Sequence, residues 1–265
     1  MEKLNLNQFA PMGQSYDSSA LEQMKVDTYN RSPGDLAGYD CKRCLNKGSF
    51  AFLRDGRFCT QGCECMKPRW CINEMERSGL KNFIQKYTFD RFRAEEPWQL
   101  HLKQKTSAYA SDPESWLMLC GAPGSGKTHL CTAVCRQWLL EGHEVRYMPW
   151  RERVAELKAV SLDDEKRGKI LEGLKNAEIL YIDDLFKVAD GAKPTAADVN
   201  LAFELINHRY TSGLITIVST EKMTNELLAI DEATGSRLIE MAGANLFSIK
   251  KGEGKNHRLR GTSAG

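Results

Sequence analysis

Three runs of the chain are short and apolar, with Thr216 the one exception: Trp116-Leu117-Met118-Leu119-Cys120, Ile179-Leu180-Tyr181-Ile182 and Leu214-Ile215-Thr216-Ile217-Val218. Such runs belong to strands buried on both faces, as in a parallel sheet covered by helices. Glu144-Val145-Arg146-Tyr147-Met148 adds a further strand. Helical patterns lie between and after them, from His129 to Leu140, Trp150 to about Lys175, Ala196 to Tyr210 and Asp231 to Met241. Strand and helix therefore alternate, which predicts an α/β architecture. The tail from Lys250, with Lys251, Lys255, Arg258 and Arg260, is basic and is expected to end in a short strand followed by disorder.

The first third of the chain has another pattern. Residues 1–17 are polar and aperiodic and read as a mobile tail or a partner-binding segment. Ser18-Ser19 offers an N-cap for a helix through Tyr29, with Leu21, Met24 and Thr28 roughly on one face, and Arg31-Ser32-Pro33-Gly34-Asp35 breaks it. Phe50-Ala51-Phe52-Leu53 followed by Asp55-Gly56 reads as a hairpin. From Lys67 to Lys86 the chain is basic and helical in pattern, interrupted at Ser78-Gly79, and reads as a linker. The aromatic cluster Tyr87-Thr88-Phe89-Asp90-Arg91-Phe92 then precedes a helix to about Ala110, closed by Asp112-Pro113. The aromatics suit either a cover over a bound base or packing against the domain core.

The first apolar run leads directly into Gly121-Ala122-Pro123-Gly124-Ser125-Gly126-Lys127-Thr128, with His129 opening the helix behind it. A strand, a glycine-rich loop and a helix start are the context a P-loop needs. Glycines at 121, 124 and 126 let the backbone wrap closely around phosphates and point its N–H groups at them, and the helix N-terminus adds positive potential. Lys127 is expected to neutralise the terminal phosphates of ATP, and Thr128 to ligate Mg²⁺. Ile179 to Ile182 ends in Asp183-Asp184, the Walker B arrangement. Asp183 is expected to hold Mg²⁺ through water, and Asp184 to orient or deprotonate the attacking water. Ser219 or Thr220, at the C-terminal edge of the third run, is placed to sense the terminal phosphate or to cap the next segment.

Charge changes this picture little. The 265 residues are 42% hydrophobic and 27% charged with a net charge of +2, too small to declare a nucleic-acid partner by itself. Any basic surface is local; Arg151, Arg153, Lys158, Lys166, Arg167 and Lys169 could line a nucleic-acid path, or form a solvated helix face with the interleaved acids. No apolar run has the length to span a bilayer and no signal-peptide core is present at the N-terminus, so a cytoplasmic protein with no membrane partner is expected. The cysteines add more. Nine is an odd number, against a closed disulfide framework. Cys120, Cys131 and Cys135 read as small buried hydrophobes. Cys41-x2-Cys44 and Cys63-x-Cys65 flank the hairpin and read as a zinc ribbon, with these four as the Zn²⁺ ligands and Cys59 as a spare candidate. A region this short has too little core to fold without its metal.

Taken together, the cysteine module, Tyr87-Thr88-Phe89, Gly121 to Thr128, Leu180-Tyr181-Ile182-Asp183-Asp184-Leu185-Phe186-Lys187 and Ser236-Arg237 resemble the DnaC/DnaI-type replicative helicase loaders, in their phage and prophage form, within the AAA+ ATPases. The resemblance spans roughly residues 35–260. It implies an AAA+ P-loop NTPase with a parallel five-stranded sheet in the order 5-1-4-3-2, preceded by a small zinc-ribbon-like domain. It further implies a division into 1–75, which would bind a hexameric replicative helicase and zinc, a linker and helix at 76–110, and an ATPase at 111–265. The ATPase would assemble in a spiral or ring, contact single-stranded DNA, and use Arg237 as an arginine finger toward a neighbouring subunit. Asp184 stands where many members carry Glu, which suggests slow, switch-like hydrolysis. Arg258 and Arg260 are the only late candidates for a sensor-2 arginine. Rival readings are a transposase-helper ATPase of the IstB type, a zinc-ribbon nucleic-acid binder with an inert ATPase, and a small-molecule P-loop kinase.

Overall fold

The computed structural model describes residues 18–75, 84–113, 115–189, 192–250 and 252. The expectations for residues 1–17, for Ser78-Gly79 and for Lys251, Lys255, Arg258 and Arg260 lie outside these residues. The chain divides into two compact units, residues 1–66 and 67–265.

The first unit is a helix on a hairpin. Strands β1 (Ser49–Arg54) and β2 (Arg57–Gly62) pair antiparallel with Arg54 opposite Arg57. The two-residue loop between them needs positive φ at both positions, and Asp55 at 52° and Gly56 at 72° supply it. Helix α1 (Ser18–Arg31) is held to the hairpin by polar contacts. Asn30 donates to the Ala51 carbonyl and accepts from the Ala51 N–H, and the Phe58 N–H donates to Glu22. The face expected to be buried is not: Leu21 and Met24 are 45% and 65% exposed, and Val26 is the residue that α1 buries. The hairpin is only two strands wide, so α1 rests on it through its Val26 and Tyr29 side and leaves the Leu21–Met24 edge in solvent.

The second unit is a three-layer α/β fold. After α2 (Met66–Met75) and α3 (Pro97–Ser111), the chain runs β3 (Leu117–Gly121), α4 (Lys127–Leu140), β4 (Val145–Pro149), α5 (Trp150–Ala159), α6 (Asp164–Lys175), β5 (Ile179–Asp183), α7 (Ala196–Thr211), β6 (Ile215–Thr220), α8 (Thr224–Ile230), α9 (Glu232–Ala242) and β7 (Leu246–Ile249). The strands form one parallel sheet ordered β4-β5-β6-β3-β7. Counted from β3 as the first and read from β7, this is the expected 5-1-4-3-2. Strands β3 and β5 are buried along their whole length, as continuous apolar runs require when helices cover both faces.

One expectation needs correcting. The charged stretch from Trp150 to Lys175 is two helices, because Asp163 caps a new one by accepting from the Lys166 N–H. The fifth strand, Leu246–Ile249, is a four-residue edge strand, too short to show a period, and the short strand expected in the tail falls on residues outside those described.

A buried arginine was not foreseen. Arg209, near the end of α7, is fully buried, with no carboxylate partner among the described residues. Its guanidinium donates to the Leu174, Lys175, Ala177 and Ile215 carbonyls and to the Thr216 hydroxyl, so it caps the C-terminus of α6 and fastens it to β6. Burial lowers its pKa to about 10, which still leaves it charged at neutral pH. Arg209→Ala strands these acceptors and is expected to cost about 3 kcal/mol or more in urea unfolding. Arg151→Ala, an exposed control, should change stability by less than about 0.5 kcal/mol. Equal stability of the two variants would contradict this role.

Candidate nucleotide and metal sites

The loop between β3 and α4 begins with a glycine that no other residue could replace. Gly121 has φ 101°, and a Cβ there would lie 2.1 Å from the Ile249 carbonyl of β7. That carbonyl also accepts the Ala122 N–H, so the fifth strand closes the base of the loop. Gly126, the N-cap of α4, has φ 91° and sits against the Phe92 ring, 2.6 Å from where a Cβ would stand. Ser125 is buried and donates to the Ala122 carbonyl. Lys127 is 5% exposed and donates to the Gly121 and Ala122 carbonyls. Burial lowers its pKa, against the charges of Glu221 and Asp184.

Asp183, the last residue of β5, is ringed by hydroxyls. Thr128 (3.1 Å) and Tyr181 (2.6 Å) donate to Oδ1, Tyr147 (3.0 Å) donates to Oδ2, and Ser219 also bonds to Oδ1. Burial and the Asp183 charge push both tyrosine phenols up, which keeps them protonated donors. Asp184 follows in left-handed backbone, φ 56°, and its N–H donates to the Ser219 hydroxyl. Its carboxylate takes the Lys187 ammonium at 2.6 Å, and Lys187 also reaches Glu221 at 3.2 Å.

A cavity of about 180 Å³ is lined by Gly124, Ser125, Gly126, Lys127, Thr128 and His129 with Tyr87, Asp184 and Glu221. Tyr87 stacks on His129 at 4.5 Å, and Phe92 meets the same imidazole edge-on. His129 Nε2 donates to the Thr88 carbonyl, and burial lowers its pKa, favouring the neutral ring. The aromatic segment thus both packs against the start of α4 and contributes Tyr87 to the cavity wall. A buried lysine, loop N–H groups and a hydroxyl beside a carboxylate fit a triphosphate with a hard, oxygen-liganded cation such as Mg²⁺.

Asp183, Ser219, Thr220 and Arg237, nominated from the sequence, stand outside this lining, Asp183 just behind it through its bond to Thr128. Ser219 and Thr220 do not line the cavity; Ser219 is fully buried between the two aspartates, and Thr220 donates to the Leu185 carbonyl while accepting the Lys222 N–H. Arg237, on α9, is likewise outside the lining. It donates to the Ala233 carbonyl and lies 5.4 Å from the ring centroids of both Phe203 and Tyr210. Glu221 was not singled out, and Lys187 was quoted as the end of a motif without a role of its own. Their signal was a charged residue just after each of two buried strands, at the edge where ligands sit in such sheets. Of the basic residues on α5 and α6, Arg153, Lys158, Lys166, Arg167 and Lys169 all pair with carboxylates.

In the first unit, Cys41, Cys44, Cys63 and Cys65 are buried free thiols whose sulfurs all lie within 4.8 Å of one another. Cys41 and Cys63 are 3.7 Å apart, Cys44 and Cys65 3.5 Å. Tetrahedral zinc with bonds of about 2.3 Å separates its sulfurs by about 3.8 Å, so the set fits Zn²⁺. Left-handed backbone at Leu45, Asn46 and Gly48 turns the chain so that the Gly48 N–H donates to the Cys44 sulfur. Burial raises the Cys63 thiol; Cys44 is desolvated too, but that N–H and the neighbouring thiols bring it down to about 6. The cluster does not include Cys59, which lies on β2 opposite Phe52.

Residues 68–238 match the family model described as IstB-like ATP binding protein. The chain is 33% identical over 241 residues to the phage-like element PBSX protein XkdC of Bacillus subtilis (strain 168), covering 86% of this chain and 89% of that protein. It is 26% identical over 159 residues to the replicative helicase loader DnaC of Escherichia coli (strain K12), covering 57% of this chain and 63% of that protein. The fold is similar to the crystal structure of the DnaC helicase loader, with a TM-score of 0.55 at 20% identity over 64% of this chain and 98% of that one. No helix among the described residues is long and apolar enough to cross a membrane. The chain belongs to the IstB-like ATP-binding family, with an AAA+ fold, and its sequence relatives include DnaC-type replicative helicase loaders.

Proposed function

We propose that this protein is an ATP-hydrolysing loader that delivers a hexameric replicative helicase onto single-stranded DNA in the cytoplasm. The observation that carries the reading is the similarity to DnaC together with a cavity whose lysine, hydroxyl and acids suit ATP and Mg²⁺. The IstB-type transposase helper is the second reading, because the family model bears that name. That match leaves the four-thiol unit outside it, and the similarity to DnaC runs over 57% of this chain, against 40% for the insertion sequence IS21 putative ATP-binding protein of Pseudomonas aeruginosa. This favours the loader.

In this reading residues 121–129 hold the nucleotide, with Lys127 on the terminal phosphates. Thr128 and Asp183 hold Mg²⁺, and Asp184 orients water. Ser219 acts as a positioning residue through its bonds to Asp183 and the Asp184 N–H. Turnover is slow, since Asp184 is short and already held by Lys187. Residues 1–75 dock on the helicase, organised by Zn²⁺ on Cys41, Cys44, Cys63 and Cys65. Residues 76–110 lead into the ATPase at 111–265. The subunits assemble in a spiral or ring around DNA.

Purified protein is expected to hold about one equivalent of Zn²⁺ and to co-elute with the host's hexameric helicase in gel filtration. A strong chelator, or Cys63→Ser, should unfold the first unit and abolish the complex, because the metal supplies its folding free energy. Zinc-free protein that still bound the helicase would contradict the proposal.

Arg237 would complete the ATP site of a neighbouring subunit, where a guanidinium can fork two N–H donors onto phosphate oxygens. Arg237→Ala is then expected to bind ATP normally but lose at least about 100-fold in turnover. Mixing it with Lys127→Ala protein, itself inactive, should restore part of the activity by pairing one intact P-loop with one intact arginine. Normal hydrolysis by Arg237→Ala under assembling conditions would show that the arginine is structural.

A further inference from the structure

Two acids line the nucleotide cavity, and the sequence pattern pointed to only one of them. Asp184 follows β5, and Glu221 follows the neighbouring strand β6. Lys187 joins them, at 2.6 Å from Asp184 and 3.2 Å from Glu221. We propose that Glu221 is a further catalytic residue, the carboxylate that takes the proton of the attacking water while Lys187 keeps Asp184 in place. The assignment rests on the hydrolytic reading above.

Four observations lead to it. First, the hydroxyls at the end of β6 are engaged elsewhere: Ser219 with the two aspartates, Thr220 with the Leu185 carbonyl and the Lys222 N–H. The first side chain after the strand that faces the cavity is Glu221. Second, the loop after β5 is folded to reach it. Asp184 and Phe186 both adopt positive φ, 56° and 59°, and this turn brings Lys187 back onto Asp184 and across to Glu221. Non-glycine residues hold such backbone only where the surroundings impose it, and sites of function are where this recurs.

Third, the three side chains are about one third exposed, at 33% for Lys187, 29% for Asp184 and 32% for Glu221, and the two acids stand in the cavity wall. Fourth, Glu221 shares the cavity lining with Lys127 and Thr128, the residues that would meet the terminal phosphates and their cation.

The chemistry uses nothing beyond water and the nucleotide. The water oxygen forms a bond to the terminal phosphorus, and the bond from that phosphorus to its bridging oxygen breaks, leaving the electron pair on the diphosphate. The water proton passes to the Glu221 carboxylate and then to solvent. Asp184 has one methylene fewer and the closer contact to Lys187, so it is the more firmly held of the pair. Glu221 needs to give up only the longer contact to turn toward a water.

The test uses the full-length chain and two readouts, steady-state ATP turnover and equilibrium binding of a fluorescent ATP analogue with Mg²⁺. Glu221→Gln keeps the shape and removes the base. It is expected to lower turnover roughly 100-fold or more while leaving analogue affinity within about threefold of wild type. Glu221→Asp, which keeps a carboxylate with shorter reach, should recover part of the loss. Turnover of Glu221→Gln within about threefold of wild type would overturn the proposal, as would a loss of analogue affinity equal to the loss of turnover. A wild-type protein with no Lys127-dependent turnover would overturn the hydrolytic reading itself and this assignment with it. That result is seen before any Glu221 variant is made, so the two failures are distinguishable.

Discussion

Asp183 accepts hydrogen bonds from four hydroxyls that arrive on four elements: Thr128 on α4, Tyr147 on β4, Tyr181 on its own strand β5, and Ser219 on β6. An isolated carboxylate, 8% exposed at the end of a buried strand, would be expensive to desolvate. Charge-assisted bonds from several donors make the position tenable, and they also set the spacing of three adjacent strands and the P-loop helix. The Asp184 backbone N–H is bound to the same Ser219, so both acids take their positions from one network.

The two units solve the stability problem by different means. The second unit has buried strands and large core residues, including Trp116, Trp138, Trp150 and Phe186. Its cysteines behave as apolar filler, with burial pushing the Cys120, Cys131 and Cys135 thiols up. In the first unit the buried apolar set is short, and four of its members are the thiols themselves. Sulfurs placed this closely, with the Gly48 N–H aimed at one of them, are better suited to a metal than to a hydrophobic centre.

What could be read in advance followed from local rules. Apolar runs gave away β3, β5 and β6, the glycine spacing identified the loop, and Asp55-Gly56 marked the hairpin turn. The residues that escaped notice owe their roles to partners distant in sequence. Arg209 looks like the last charged position of a helix, and only the fold shows five acceptors converging on it. Glu221 has no local pattern, and Lys187, legible as the end of a motif, owes its role to that partner 34 residues away. Leu21 and Met24 had the right period but no surface opposite them. Ser219 was correctly placed at the strand end, yet its direction depended on Asp183, which sequence spacing does not encode.

The account's central claim is that nucleotide chemistry at this cavity governs delivery of a helicase to DNA. Its most direct measurement is loading of the host's hexameric helicase onto circular single-stranded DNA, followed by strand displacement, with this protein, ATP and Mg²⁺. The account predicts displacement that requires the protein, is lost with Lys127→Ala, and is lost when the four cysteines are stripped of metal. Loading that proceeds equally well with Lys127→Ala protein, or without the protein altogether, would contradict it.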